Sequence, residues 1–152
     1  MNYPYHAYAL AEEAFNGVKD RGGDPYFTHC QIVADNASEF ADGDFTTIKQ
    51  EQDILYCIGM LHDLLEDAPE FTPRLKLFPS RVRKAVRVLT HKEEESYGDY
   101  IDRVKLNPDA VKVKLCDLEH NMMVFRLPEL TDADISRLKK YHRAYNELKA
   151  LL

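Results

Sequence analysis

No two cysteines in this chain stand at Cys-x-x-Cys spacing: the three, Cys30, Cys57 and Cys116, lie far apart and in apolar patterns. That argues against a zinc ribbon or a disulfide framework and fits buried, reduced thiols in a cytosolic protein. No apolar run is long enough to span a bilayer, and Met1-Asn2-Tyr3-Pro4-Tyr5-His6 lacks the charged and apolar regions of a signal peptide. The expected compartment is therefore the cytoplasm, with no membrane partner. An excess of positive charge is missing as well. A net charge of -6 argues against a general nucleic-acid binder, whose affinity comes largely from phosphate neutralisation. A small phosphorylated ligand stays compatible with it, held by a metal and a few local cations. Internal repeats and low-complexity tracts are absent, and no strand-like alternation survives more than a few residues.

What is present reads as one all-α domain over residues 1–152, a helical bundle long enough to bury a single core. Ala7, Leu10, Ala11, Ala14, Phe15 and Val18 recur at helical spacing until Gly22-Gly23-Asp24-Pro25 ends the run. A second helix begins near Pro25 or Tyr26, carries His29, Ile32, Val33, Ala37 and Phe40, and is broken by Asp42-Gly43-Asp44. Thr46 is the expected cap of a third, whose stripe is Ile54, Leu55, Ile58, Leu61 and Leu65 and whose C-terminal end carries His62 and Asp63. Thr72-Pro73 predicts a short helix through Phe78, and Pro79 starts another with Val82, Val86 and Leu89 on one face. Helices over Tyr97 to Leu106, after Asn107-Pro108-Asp109, and from a Thr131 cap to the C-terminus complete the reading.

The most informative stretch is Gly59-Met60-Leu61-His62-Asp63-Leu64-Leu65-Glu66-Asp67. It sets a His-Asp pair, and a Glu-Asp pair one turn later, in an apolar segment, where ionisable groups are expensive to bury without a metal or a reacting substrate. His29 upstream and Asp117 downstream, the latter in Lys114-Leu115-Cys116-Asp117-Leu118-Glu119-His120-Asn121-Met122, offer further ligands. Imidazole and carboxylate donors together suit one divalent ion, with manganese, iron and zinc all chemically reasonable. His62 and Asp63 project about 100 degrees apart on an α-helix, so both reach one ion only if it sits over the edge between them. His6, His91 and His142 read as structural.

These motifs resemble the HD superfamily of metal-dependent phosphohydrolases. More narrowly, they are similar to the hydrolase domain of bifunctional alarmone synthetase/hydrolases and their small stand-alone relatives. Gly23-Asp24-Pro25-Tyr26-Phe27-Thr28-His29 resembles that family's Gly-Glu-Pro-Tyr-x-x-His, and Leu61-His62-Asp63-Leu64-Leu65-Glu66-Asp67 its Leu-His-Asp-x-x-Glu-Asp. Lys114 to Met122 resembles its Lys-Leu-Ala-Asp-Arg-x-His-Asn-Met. The resemblance implies an HD-type bundle in which His29, His62, Asp63 and Asp117 hold one ion, typically Mn²⁺, with Fe²⁺ or Zn²⁺ as alternatives. It implies that Glu66 and Asp67 manage the proton of the attacking water or of the leaving group. Asn121 matches a position that contacts the nucleotide ribose, and Tyr26 reads as a packing residue behind the metal ligand. The implied reaction removes the 3'-pyrophosphate of guanosine tetra- or pentaphosphate, giving pyrophosphate with GDP or GTP. No synthetase domain is expected in the chain.

The chain also departs from the family. Asp20 occupies the place of an arginine that stacks on the guanine, flanked by Lys19 and Arg21, which become the candidate substrate-binding cations. Met123 and Val124 replace an arginine and a threonine. Two alternatives therefore stand beside the alarmone reading: an HD phosphohydrolase for another nucleotide, or a metal- or nucleotide-binding regulatory domain without turnover. The last helix carries Lys139, Lys140, Arg143 and Lys149 beside an apolar stripe. It reads as a core-packing helix with a solvated face, and alternatively as part of a homodimer or a cationic rim over the site.

Overall fold

Apolar residues at helical spacing dictate the helices, and side-chain caps open four of them. A computed structural model, describing residues 1–152, contains eight α-helices: α1 (Tyr3–Ala14), α2 (Tyr26–Ser38), α3 (Ile48–Leu61), α4 (Leu64–Asp67), α5 (Ser80–Leu89), α6 (Tyr97–Val104), α7 (Pro108–Asn121) and α8 (Asp132–Lys149). Short 3₁₀ segments occupy Pro69–Leu77 and Val124–Arg126, and there is no strand beyond an isolated bridge between Lys19 and Pro25. The all-α expectation is met. Val111-Lys112-Val113-Lys114-Leu115, which alternates like a strand, lies inside α7. No helix is long and apolar enough to cross a membrane.

Besides Asn2, which accepts the Tyr5 N–H at the start of α1, three caps follow from side chains that reach back to the backbone. Ser96 accepts from the Asp99 N–H, Asn107 from the Ala110 N–H, and Thr131 forms a capping box with Asp134. α1 ends at Ala14 rather than at Gly22, because the chain turns at Gly17 with φ 75°, α2 ends at Ser38 before Phe40, and two helix starts also differ from the sequence expectation. Asp44, not Thr46, organises the start of α3: its Oδ1 accepts from the N–H groups of Thr46 and Thr47 at 2.9 and 3.0 Å and from both hydroxyls. A carboxylate is the stronger acceptor and takes both threonines as donors. Thr72 caps nothing, because Pro69 already opens the 3₁₀ segment and Pro73 falls within it.

α3 is the central helix, packed against α1, α2, α5 and α7. Leu55, Cys57, Ile58, Met60 and Leu61 are all buried, so its last turns are apolar on every side. α2 approaches it most extensively and α7 lies across both. The three cysteines are free and buried, as expected. This arrangement directs the C-terminal end of α3, the first turn of α2 and the last turns of α7 to one place.

Arg103 on α6 ties that helix to the end of α5. Its guanidinium donates to Glu95 at 2.8 Å and to the carbonyls of Val88 and Thr90 at 2.8 and 2.9 Å. Hydrogen bonding to Arg103, then to the Lys92 N–H, holds the Glu95 carboxyl down to about 2, against an ordinary 4.5. A depressed carboxyl contributes stability that is complete above its unfolded value and is lost as pH falls through the folded one. Glu95→Gln should therefore melt below wild type near neutral pH, with the gap closing as pH drops from about 4.5 towards 2. Thermal melts of both proteins across that range check this, and a gap independent of pH would refute it.

Candidate metal centre

α3 ends at Leu61, and α4 starts at Leu64, so His62 and Asp63 occupy the break between two helices rather than the body of one. Asp63 has φ −100° and ψ 2°, the sparsely populated bridge region, and stands at the N-cap of α4 without capping it. Its carboxylate turns instead to the imidazoles. The break resolves the angular problem posed by adjacent helical residues, since His62 and Asp63 now face one point. His62 Nε2 lies 2.8 Å from Asp63 Oδ2.

His29 from α2 and Asp117 from α7 complete the group. His29 Nε2 is 3.1 Å from Asp117 Oδ1 and 3.3 Å from His62 Nε2, and one donor atom from each of the four residues lies within 4.8 Å of all the others. His29, His62 and Asp117 are buried, and Asp63 is nearly so. These are the four residues expected to share an ion, drawn from three separate parts of the chain.

The surrounding contacts fix the orientation of each ligand. His62 Nδ1 donates to the Gly59 carbonyl at 2.6 Å, which turns Nε2 inward towards Asp63 and Asp117. His29 Nδ1 is 2.6 Å from His120 Nδ1. Burial and the neighbouring His29 push the His120 imidazolium down to about 4, so His120 is neutral near pH 7 and can accept the proton of His29 Nδ1. That tautomer also frees His29 Nε2 for an ion. Asp117 Oδ2 accepts from Lys114 Nζ at 2.7 Å, and Oδ1 accepts from Asn121 Nδ2 at 2.7 Å. Burial opposes charge on Asp117, but the Lys114 ammonium and the two imidazoles outweigh it and hold the carboxyl well below its ordinary value. Tyr26 donates its hydroxyl to Asp63 Oδ2. Burial, then the Asp63 charge, keeps that phenol protonated and therefore a donor. Ligands so held by outer partners fit a divalent ion, and the mixed nitrogen and oxygen donor set suits one. The group could hold a metal ion.

The cluster opens into a cavity of about 740 Å³ lined by Asp63, Glu66, Asp67, Lys114 and Asp117 on one side and by residues 18–22, the segment after α7 and the start of α8 on the other. That is within the ordinary range for a small-molecule site. A groove of about 500 Å³ beside Tyr3, Tyr5, Tyr8 and Tyr56 touches none of these groups. Glu66 and Asp67 reach solvent on the cavity side and protein on the other. Partial burial, with a contribution from the Asp63 charge, raises both carboxyls above their ordinary values. Glu66 also accepts the His91 backbone N–H.

The cations named from the sequence are distributed differently. Arg21 lines the cavity but binds Asp134 Oδ1 at 2.6 Å, an oxygen it shares with Arg137 at 2.7 Å. Lys19 lines the same cavity at its exposed rim. Asp20 is neutralised by Arg126 at 2.8 Å. Asn121 contacts Asp117 directly and also faces the cavity.

Sequence reasoning missed three side chains at the cluster. Tyr26, read as packing, is a hydrogen-bond partner of Asp63. Lys114, three residues before Asp117, is its counter-ion, a pairing that helical i to i+3 spacing could have given. His120 supports His29 from 91 residues away, and no local signal encodes that contact. No protein-family model matches this chain, and no curated protein matches it.

Proposed function

We propose that this protein is a metal-dependent phosphohydrolase of the HD type acting on a nucleotide, and that guanosine tetra- or pentaphosphate is its first candidate substrate. One observation carries the reading: two members of a converging group of four metal-type side chains, Asp63 and Asp117, line a nucleotide-sized cavity, with the carboxylates of Glu66 and Asp67 beside them. A divalent ion bound there supplies Lewis-acid polarisation of a phosphoryl group and acidification of water. His29, His62, Asp63 and Asp117 would hold it. Glu66 and Asp67, with raised carboxyl values, are suited to take the proton from the attacking water and return one to the leaving oxygen. Water is consumed, the 3' phosphate ester bond is broken, and pyrophosphate leaves with GDP or GTP.

A second reading has an observation of its own. Asp20, where the resembled family stacks an arginine on guanine, is locked to Arg126. That favours a different nucleobase, or a base held another way, on the same phosphoryl chemistry.

The test is turnover of guanosine tetraphosphate by metal-stripped protein resupplied with manganese, resolving GDP and pyrophosphate. Glu66→Gln and Asp67→Asn should each lower turnover by about 10²- to 10⁴-fold, the usual contribution of a positioned acid or base, while metal binding persists. Turnover that survives both changes would reject the assigned roles. Absence of turnover, with a nucleotide panel then cleaved, would select the second reading.

A further inference from the structure

A smaller chamber of about 170 Å³ adjoins the main cavity, sharing Asp63, Glu66, Lys114, Asp117 and Tyr141 with it. Its remaining wall is formed by His62 of the metal-type group together with Leu89, His91, Tyr97, Tyr100 and Lys140. Most polar groups here have partners. Tyr100 donates to the Leu89 carbonyl at 2.7 Å, and His91 Nε2 meets the Glu95 carbonyl at 2.7 Å. Lys114 is bound to Asp117. Beside the half-buried Tyr141 hydroxyl, two groups are left over. The Tyr97 hydroxyl is buried and has no hydrogen-bond partner. Lys140 Nζ meets no carboxylate, lying 4.5 Å from the Tyr97 ring centroid and 5.5 Å from that of Tyr141. Arg21, Arg126 and Arg137, the arginines around the main cavity, are by contrast all in ion pairs.

We propose that this chamber is an oxyanion subsite for a tetrahedral phosphoryl group, with Lys140 supplying charge and the Tyr97 hydroxyl a directional hydrogen bond. The volume is that of about six liquid waters, too small for a nucleoside and sufficient for phosphate. An anion there completes the hydroxyl that the fold leaves unpartnered and gives the ammonium a counter-charge. Asp63, Glu66 and Asp117 face the same space, so their charge must be offset before an anion enters, and binding should follow metal loading. Within the phosphohydrolase reading, on which this assignment of a role rests, the chamber receives one phosphoryl group of the departing pyrophosphate while the larger cavity keeps the nucleoside.

Orthophosphate titrated calorimetrically into manganese-loaded protein tests the subsite without requiring turnover. Wild type should bind, Lys140→Met should bind about tenfold or more weakly, and Tyr97→Phe about fivefold more weakly. Lys139→Met, a neighbouring exposed charge that does not line the chamber, should stay within about twofold of wild type. No binding by wild type, equal affinity in Lys140→Met, or an equal loss in Lys139→Met would each overturn the proposal. Turnover assayed on the same samples separates the two claims. Lys140-dependent phosphate binding without cleavage of any nucleotide keeps the subsite and rejects the phosphohydrolase. Turnover with phosphate affinity indifferent to both residues does the reverse.

Discussion

Manganese added to metal-stripped protein should raise its melting temperature by about 5–10 °C at a free concentration a hundredfold above Kd, and His62→Ala should abolish that rise. The size follows from mass action: a ligand that binds only the folded state at that excess stabilises by about 2.7 kcal/mol. For a chain of this length each kcal/mol moves the midpoint by about 2–4 °C. The site is assembled from α2, the α3–α4 break and α7, so it does not exist in the unfolded chain and the ion has no equivalent place to bind there. His62 would be the decisive ligand, because its imidazole is already oriented by the Gly59 carbonyl and lies within 3.5 Å of side-chain nitrogen or oxygen atoms on Asp63, Asp117 and His29. Scanning calorimetry with and without metal, on wild type and variant, decides it. An equal rise in His62→Ala would place the stabilising ion elsewhere on this acidic surface.

How far this centre could be read in the sequence depends on what each residue is asked to do. That His29, His62, Asp63 and Asp117 converge was legible because each is a metal-type side chain whose uncompensated burial is costly. The helical periods were legible for the same reason, and α2, α5, α6 and α8 begin close to where the periodicity and caps put them. The break at His62-Asp63 was not, since Leu61, Leu64 and Leu65 continue the helical period straight through it. Only the packing of α4 and the following proline-bearing segment reveals that the chain turns there. Partners of the ligands were the least visible. His120 and Tyr26 act through contacts 91 and 37 residues apart in sequence, and a tyrosine beside a ligand reads equally well as packing. The pairing of Arg21 with Asp134 depends likewise on how α8 docks beside the loop before α2.

Gly59→Ala should destabilise the protein by about 2 kcal/mol or more and weaken metal binding more than tenfold, although alanine is the better helix former. At this position a Cβ would lie 2.5 Å from Ala34 Cα and 2.8 Å from Ala34 N, so it meets backbone rather than a side chain that can swing away. α2 and α3 must then separate along their most extensive contact. Overpacking of this kind costs about 1–3 kcal/mol and sometimes more, against at most about 1 kcal/mol gained in helix propensity. The same displacement reaches the site directly. α2 carries His29, the end of α3 carries His62, and the Gly59 carbonyl itself holds the His62 ring. Gly98→Ala is the matched comparison, since a Cβ there meets only Ser96 Oγ at 4.0 Å on an exposed turn of α6. That change should be neutral or stabilise by up to about 1 kcal/mol. Urea unfolding and manganese titration of the two variants test the argument together. If Gly59→Ala behaved like Gly98→Ala in both, close approach of α2 to α3 would not be what aligns the two histidines.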